Sequence, residues 1–184
     1  TAAAYGPSNR DFITGSSGGG MHFAYTAPAV VPAEVAIEFG VRGPYTIFLG
    51  GAPATLRAIR HGAALLDQGV CDRALVLAVE VFEECADLYE RSRRLVGEPL
   101  VEAAACLWLE RGAGDLVFEA RRDGQRGRRA ASPSARELMS CGPLADLHAW
   151  WRQSRAGPLE LRGAWRGETA RLVWPAKPAR SQVA

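Results

Sequence analysis

Long hydrophobic runs are missing from this chain. None approaches the ~20 apolar residues that a membrane-spanning helix needs, so no membrane span is expected. Lysine is nearly missing as well, Lys177 being the one lysine among 22 basic residues. That bias reads as the codon usage of a GC-rich genome before it reads as function. The four cysteines, Cys71, Cys85, Cys106 and Cys141, form no Cys-x-x-Cys pair. No secretory signal opens the sequence, so the expectation is a reducing, cytoplasmic setting with no metal centre and no disulfide framework. A formal charge of +2 gives no reason to expect nucleic acid as a partner. Nucleotide-phosphate loops fail too. The glycine-rich stretch 15–20 has neither the lysine of a P-loop nor the spacing of a dinucleotide fingerprint, and no cofactor is expected.

What is present is the material of one globular domain. The 184 residues are 48% hydrophobic and 23% charged, enough for a single sizeable core. Pro32 followed by Ala33-Glu34-Val35-Ala36-Ile37-Glu38-Phe39-Gly40 predicts a short helix with proline in its first turn and glycine at its end. Residues 43–69 read as a short buried strand at 46–49, a tight turn, and a helix closing on Gly69. Apolar residues at 54, 56, 58, 59, 63, 65 and 66 surround most of that helix, which predicts burial. The run 74–79 predicts a further strand, so strand, helix and strand suggest a parallel βαβ unit.

Further along, residues 81–98 are charged and read as helical or irregular. Residues 103–110 and 115–121 predict two strands of an antiparallel hairpin. The basic run 121–129 reads as a solvated loop or a docking patch for an acidic partner. Helical spacing of Leu144, Leu147, Trp150 and Trp151 predicts a helix over 143–153. Alternation at Leu159, Leu161 and Trp165, then at Ala170, Leu172 and Trp174, predicts a hairpin turning near Gly167. The five tryptophans either serve an interface or fill the core.

Chemistry is sought first at the strand–turn–helix elbow, where a helix N-terminus favours a developing anion. The turn there is Gly50, Gly51, Ala52 and Pro53, and none of these side chains can attack a substrate. The aromatic segment holding Met21, His22, Phe23 and Tyr25 suits the lining of a pocket or interface. His22 in it suits packing or a simple hydrogen bond.

Taken in order, several pieces resemble a β-ketoacyl synthase of the thiolase fold. They are Gly15 through Gly20, Gly43-Pro44, the elbow with its helix, Gly69 and Asp72 leading to Glu80, and the run from Glu102 to Glu110. The resemblance implies an α/β fold with a layered mixed sheet. It corresponds to an N-terminal ketosynthase-type half over 10–120, followed by a basic loop (121–135), a C-terminal helix and β-hairpin (136–175) and a tail (176–184), all within one domain. Alignment on Gly43-Pro44 and Gly69 puts Ala52 where the family carries its acyl-accepting cysteine, and a methyl group cannot form a thioester. The family's two catalytic histidines have no counterpart, since His148 alone follows Glu110 and lies in no such motif.

Shortened in this way, and with Cys141-Gly142-Pro143-Leu144 ahead of its last helix, the chain is similar to the chain length factors of bacterial type II polyketide and aryl polyene systems. The resemblance implies a non-catalytic subunit that forms a heterodimer with an active ketosynthase through the edge strand and elbow. Such a subunit shapes the tunnel for polyene, polyketide or fatty acyl chains carried on an acyl carrier protein. Phe48 and Leu49, with the elbow, are then expected at the interface, and Met21, His22, Phe23 and Tyr25 along the tunnel. The alternative is an acyltransferase-type enzyme with a relocated nucleophile, such as Thr55 or Cys71 beside a histidine.

Overall fold

The structure, a computed structural model, describes residues 30–80, 102–112, 116–122, 139–153, 157–165 and 167–175. Among them it is a mixed α/β arrangement of three α-helices and two small antiparallel sheets. Helix α1 spans Val30–Glu38, and helix α2 spans Ala52–Asp67. Strands β1 (Arg73–Glu80) and β2 (Ala103–Glu110) form the first sheet. Strand β3 (Val117–Arg122) pairs with β5 (Glu168–Trp174), which pairs in turn with β4 (Leu159–Trp165). A 3₁₀ turn, Met139–Cys141, leads into helix α3, Gly142–Gln153.

Both early helices end where glycine permits a left-handed residue. Gly40 has φ 61°, and Val41 N–H donates to the Ala36 carbonyl at 2.9 Å. Gly69 has φ 71°, and Val70 N–H donates to the Leu65 carbonyl at 2.9 Å. Each is the six-to-one bond of a Schellman cap, which occupies a carbonyl the helix leaves orphaned.

Helix α2 is the element around which the rest is packed. It lies against β1, β2, β4, β5 and α3. The core joins Leu56, Ile59 and Leu66 of α2 to Val76, Ala78 and Leu109 of one sheet and Leu159, Leu161, Ala170 and Leu172 of the other, with Leu144 of α3. The expected burial of α2 therefore holds for its inner side, whereas Arg57, Arg60 and Asp67 are exposed. After the first turn, the helix is a one-sided stripe.

Two strand pairings differ from the sequence expectation. Residues 46–49 belong to neither sheet, and that stretch is largely exposed rather than buried. No parallel βαβ unit forms among the described residues, because β1 pairs antiparallel with β2 from Arg73–Glu110 to Glu80–Ala103. Likewise β2 and β3 are not a hairpin, since β3 runs beside β5, with Phe118 opposite Leu172. Extended propensity marks a segment that fits a pleated surface, but it leaves the partner open. The apolar face of β2 is used on α2 beside β1, which frees β3 for the second sheet. The C-terminal hairpin and the helix before it match the expectation, with Gly167 at φ 80° in the turn.

The outer faces of the two sheets have opposite character. On β3–β5–β4, Glu160 accepts from Arg162 Nε and Arg171 Nε, both at 2.6 Å, and Arg171 Nη1 lies 3.7 Å from Glu119. Hydrogen bonds from Arg171, then from Arg162, pull the Glu160 carboxyl down to about 2. A carboxyl depressed in the fold stabilises it above the ordinary value near 4.3 and loses that contribution as pH falls toward 2. Replacing Glu160 with Gln is therefore expected to flatten the acid limb of the stability curve between pH 4.5 and about 2, read as urea midpoints.

Asp146 of α3 carries the opposite sign, its carboxyl being raised by desolvation. That penalty is absent well below the ordinary value, appears as pH rises through the raised one, and is complete at neutral pH. Asp146→Asn is accordingly expected to raise the urea midpoint at pH 7 and to leave it unchanged at pH 3.

On the other sheet, the outward positions are Leu75, Leu77 and Val79 of β1 with Ala104, Cys106 and Trp108 of β2, paired across the strands. Arg73 and Glu110 close one end of this apolar strip with a 3.4 Å ion pair. Trp108 and Trp151 are exposed, while Trp150 and Trp174 pack on the core. The tryptophans thus divide between surface and interior.

Candidate functional site

The elbow is built from a glycine pair and the first turn of α2. Gly50 has φ 136°, a conformation costly for any side chain. Gly51 caps the helix without a side-chain hydrogen bond. An active elbow needs a nucleophile and backbone N–H groups aimed at the oxyanion. Ala52 supplies no nucleophile. Pro53 has no N–H to offer, and the Ala54 N–H is already donated to the Gly51 carbonyl at 2.9 Å. The turn lacks the reagent and is short of anion donors as well.

Strand β4 is packed directly onto this turn. A β-carbon added at Gly163 would lie 2.8 Å from the backbone carbon of Ala52 and 2.9 Å from the Pro53 nitrogen. One added at Gly51 would lie 2.9 Å from the Trp165 indole. Gly51 and Pro53 are buried, and Ala52 is half-buried. Gly163 and Trp165 belong to this site, although sequence reading did not assign them there. The signal available was register, for they share the face of Leu159 and Leu161 at a period of two.

Ahead of the elbow, the extended stretch divides its side chains by alternation. Thr46 Oγ1 lies 3.2 Å from Nε2 of His61 on α2, and the Phe48 ring meets the His61 ring edge-on at 5.7 Å. Tyr45, Ile47 and Leu49 are turned outward, Leu49 being 77% exposed. Ile37, Phe39 and Val41 at the end of α1 are exposed too. Of the expected interface pair, Phe48 is half-buried and Leu49 faces solvent. Met21, His22, Phe23 and Tyr25 lie outside the described residues. So does most of the basic run, of which Arg121 and Arg122 end β3.

The two residues considered as relocated nucleophiles are tied into the interior. Thr55 is 5% exposed and donates its hydroxyl to the Ser140 carbonyl at 2.5 Å. Cys71 is half-buried against the core. Around Thr55, the 3₁₀ turn clasps the end of the first sheet. Ser140 N–H donates to Glu80 at 3.1 Å, and the buried Cys141 thiol reaches the carbonyls of Ala103 and Ala78 at 3.3 and 3.4 Å. Burial, then the Glu80 carboxylate, pushes the Cys141 thiol up, which keeps it unreactive. Met139 holds φ 45° to make this turn.

Among the described residues, no cluster of histidine, cysteine and carboxylate groups is placed to hold a metal ion, and no helix is long and apolar enough to cross a membrane. No protein-family model, no curated protein and no solved structure matches this chain.

Proposed function

We propose that this chain is a non-catalytic subunit of chain-length-factor type, pairing with an active ketosynthase that handles acyl chains on an acyl carrier protein. In this reading, the described elements are a thiolase-like half with its own C-terminal helix and hairpin, and the work is done in the cytoplasm. The observation that carries it is the elbow. The turn keeps the tight glycine geometry and the buried helix, yet position 52 is alanine, Pro53 removes a donor, and β4 is seated on the turn. Such a site has no chemistry of its own and keeps its value as scaffold.

The flanking surface supports a partner. Tyr45, Ile47 and Leu49 are exposed on an extended segment outside both sheets, a few residues after the exposed Ile37, Phe39 and Val41. Exposed apolar side chains, where they gather into one patch, mark an interaction site. An extended segment also offers backbone groups for pairing with another strand. The partner's cysteine and histidines would carry out condensation, and this chain would bound the tunnel.

The alternative, an acyltransferase-type enzyme with a relocated nucleophile, finds Thr55 and Cys71 tied into the interior, and the contact left to it is the hydroxyl of Thr46 beside His61. Nothing in the contact orients the imidazole as a base, and the stretch is open to water, both of which weigh against nucleophilic activation. Incubation with carrier protein bearing a labelled acyl group separates the two readings. The subunit reading expects no covalent label on this chain alone, whereas acylation at Thr46 that is lost in Thr46→Ala would establish the enzyme.

A further inference from the structure

Leu159, Leu161, Gly163 and Trp165 share one face of β4, which is buried as far as Gly163 and 36% exposed at Trp165. Leu159 and Leu161 are 5% and 1% exposed and anchor the strand in the core. Gly163, lacking a side chain, lets the strand meet the backbone of Ala52 and Pro53. Trp165 then lies across Gly51, itself a residue with no β-carbon to hold the indole away. Strand β5 adds a second attachment, since Glu168 Oε1 forms a 2.6 Å ion pair with Arg57 Nη2 of α2. Two glycines, one on each side, make the fit possible: a side chain at either position would keep strand and turn apart.

We infer that the β4–β5 hairpin is an intramolecular plug over the elbow, closing the first turn of α2 to acyl chains whatever partner the chain takes. The side of residue 52 that faces β4 is filled by the chain's own strand. The plug therefore disables the elbow sterically, in addition to the missing nucleophile. An acyl chain held by a partner must pass along another surface. The inference concerns this chain alone, so it stands or falls separately from the pairing with a ketosynthase.

The test is alkylation by iodoacetamide, resolved by peptide mass spectrometry, in the Ala52→Cys protein. The introduced thiol is expected to react at least about tenfold more slowly than the exposed Cys106. Adding Trp165→Ala is expected to raise its rate by about tenfold while Cys141 stays unlabelled, which separates loss of the plug from unfolding. A thiol at position 52 that reacts as fast as Cys106 with Trp165 in place overturns the plug. So does a rate indifferent to Trp165→Ala. Should Ala52→Cys fail to fold, NMR of the wild-type chain decides the matter. The Gly51 α-protons are expected to be shifted upfield by the indole and to show Overhauser contacts with its ring protons, and their absence overturns the plug.

Discussion

Gly163→Ala is expected to lower the free energy of unfolding by about 1–3 kcal/mol, the range for overpacking a close contact. The added methyl group is directed into backbone, at 2.8 Å from the Ala52 carbon and 2.9 Å from the Pro53 nitrogen, so no side-chain rotamer relieves it. Strand β4 has little freedom to withdraw. Leu161 is held in the core, and Gly163 is itself paired with Ala170 of β5. Helix α2 is equally fixed by Leu56 and Ile59, both fully buried. Urea unfolding measures the loss. Gly112→Ala, where an added β-carbon meets nothing within 4 Å, is the control and should stay within about 0.5 kcal/mol of wild type. A Gly163→Ala protein as stable as the control would mean that strand and elbow are not in contact.

Replacing Ile47 and Leu49 together with Asp is expected to weaken binding to the proposed ketosynthase partner by at least about a hundredfold, roughly 2.7 kcal/mol. Leu49 is 77% and Ile47 37% exposed, and neither belongs to the core, so both contribute less than a core side chain does to the folded monomer. Its stability should change by no more than about 0.5 kcal/mol. In the proposed complex, the same positions would be desolvated, and two carboxylates without partners there would be costly. Phe48→Ala provides the contrast. Phe48 packs on His61 of the same chain, so its loss acts first on the monomer and is visible in unfolding without any partner. Affinity and stability measured on both variants therefore assign the two faces of one extended segment.

Local features of the chain were legible from local chemistry. Gly40 and Gly69 announced the ends of α1 and α2, and both take the left-handed backbone that only glycine adopts cheaply. The alternation through Leu159, Leu161, Ala170 and Leu172 announced the β4–β5 hairpin, and those four residues are indeed buried together. Strand partnership was not legible. Residues 46–49 have the β-branched and aromatic make-up of a strand, but a strand exists only through its ladder, and that ladder requires a neighbour. Among the described residues none is supplied, so Thr46 and Phe48 settle on His61 instead.

The candidate site divides along the same line. Absence of a nucleophile could be read at Ala52, and the loss of an N–H at Pro53, because each is a property of one residue. The covering of the turn could not, because it depends on the register that brings Gly163 and Trp165 opposite α2. Nor could the clasp of Ser140 and Cys141 on Glu80, whose members lie far apart in the chain and meet only when α3 docks on the first sheet. Buried side-chain networks of this kind are set by tertiary packing, to which neither helical nor strand periodicity points.

Co-expression with an active ketosynthase, followed by affinity capture and light scattering on the eluted species, tests the proposed pairing most directly. The expected result is a stable one-to-one complex in which only the ketosynthase chain takes an acyl group from the carrier protein. A chain that elutes as a monomer, ignores the ketosynthase and is itself acylated would contradict a non-catalytic partner subunit.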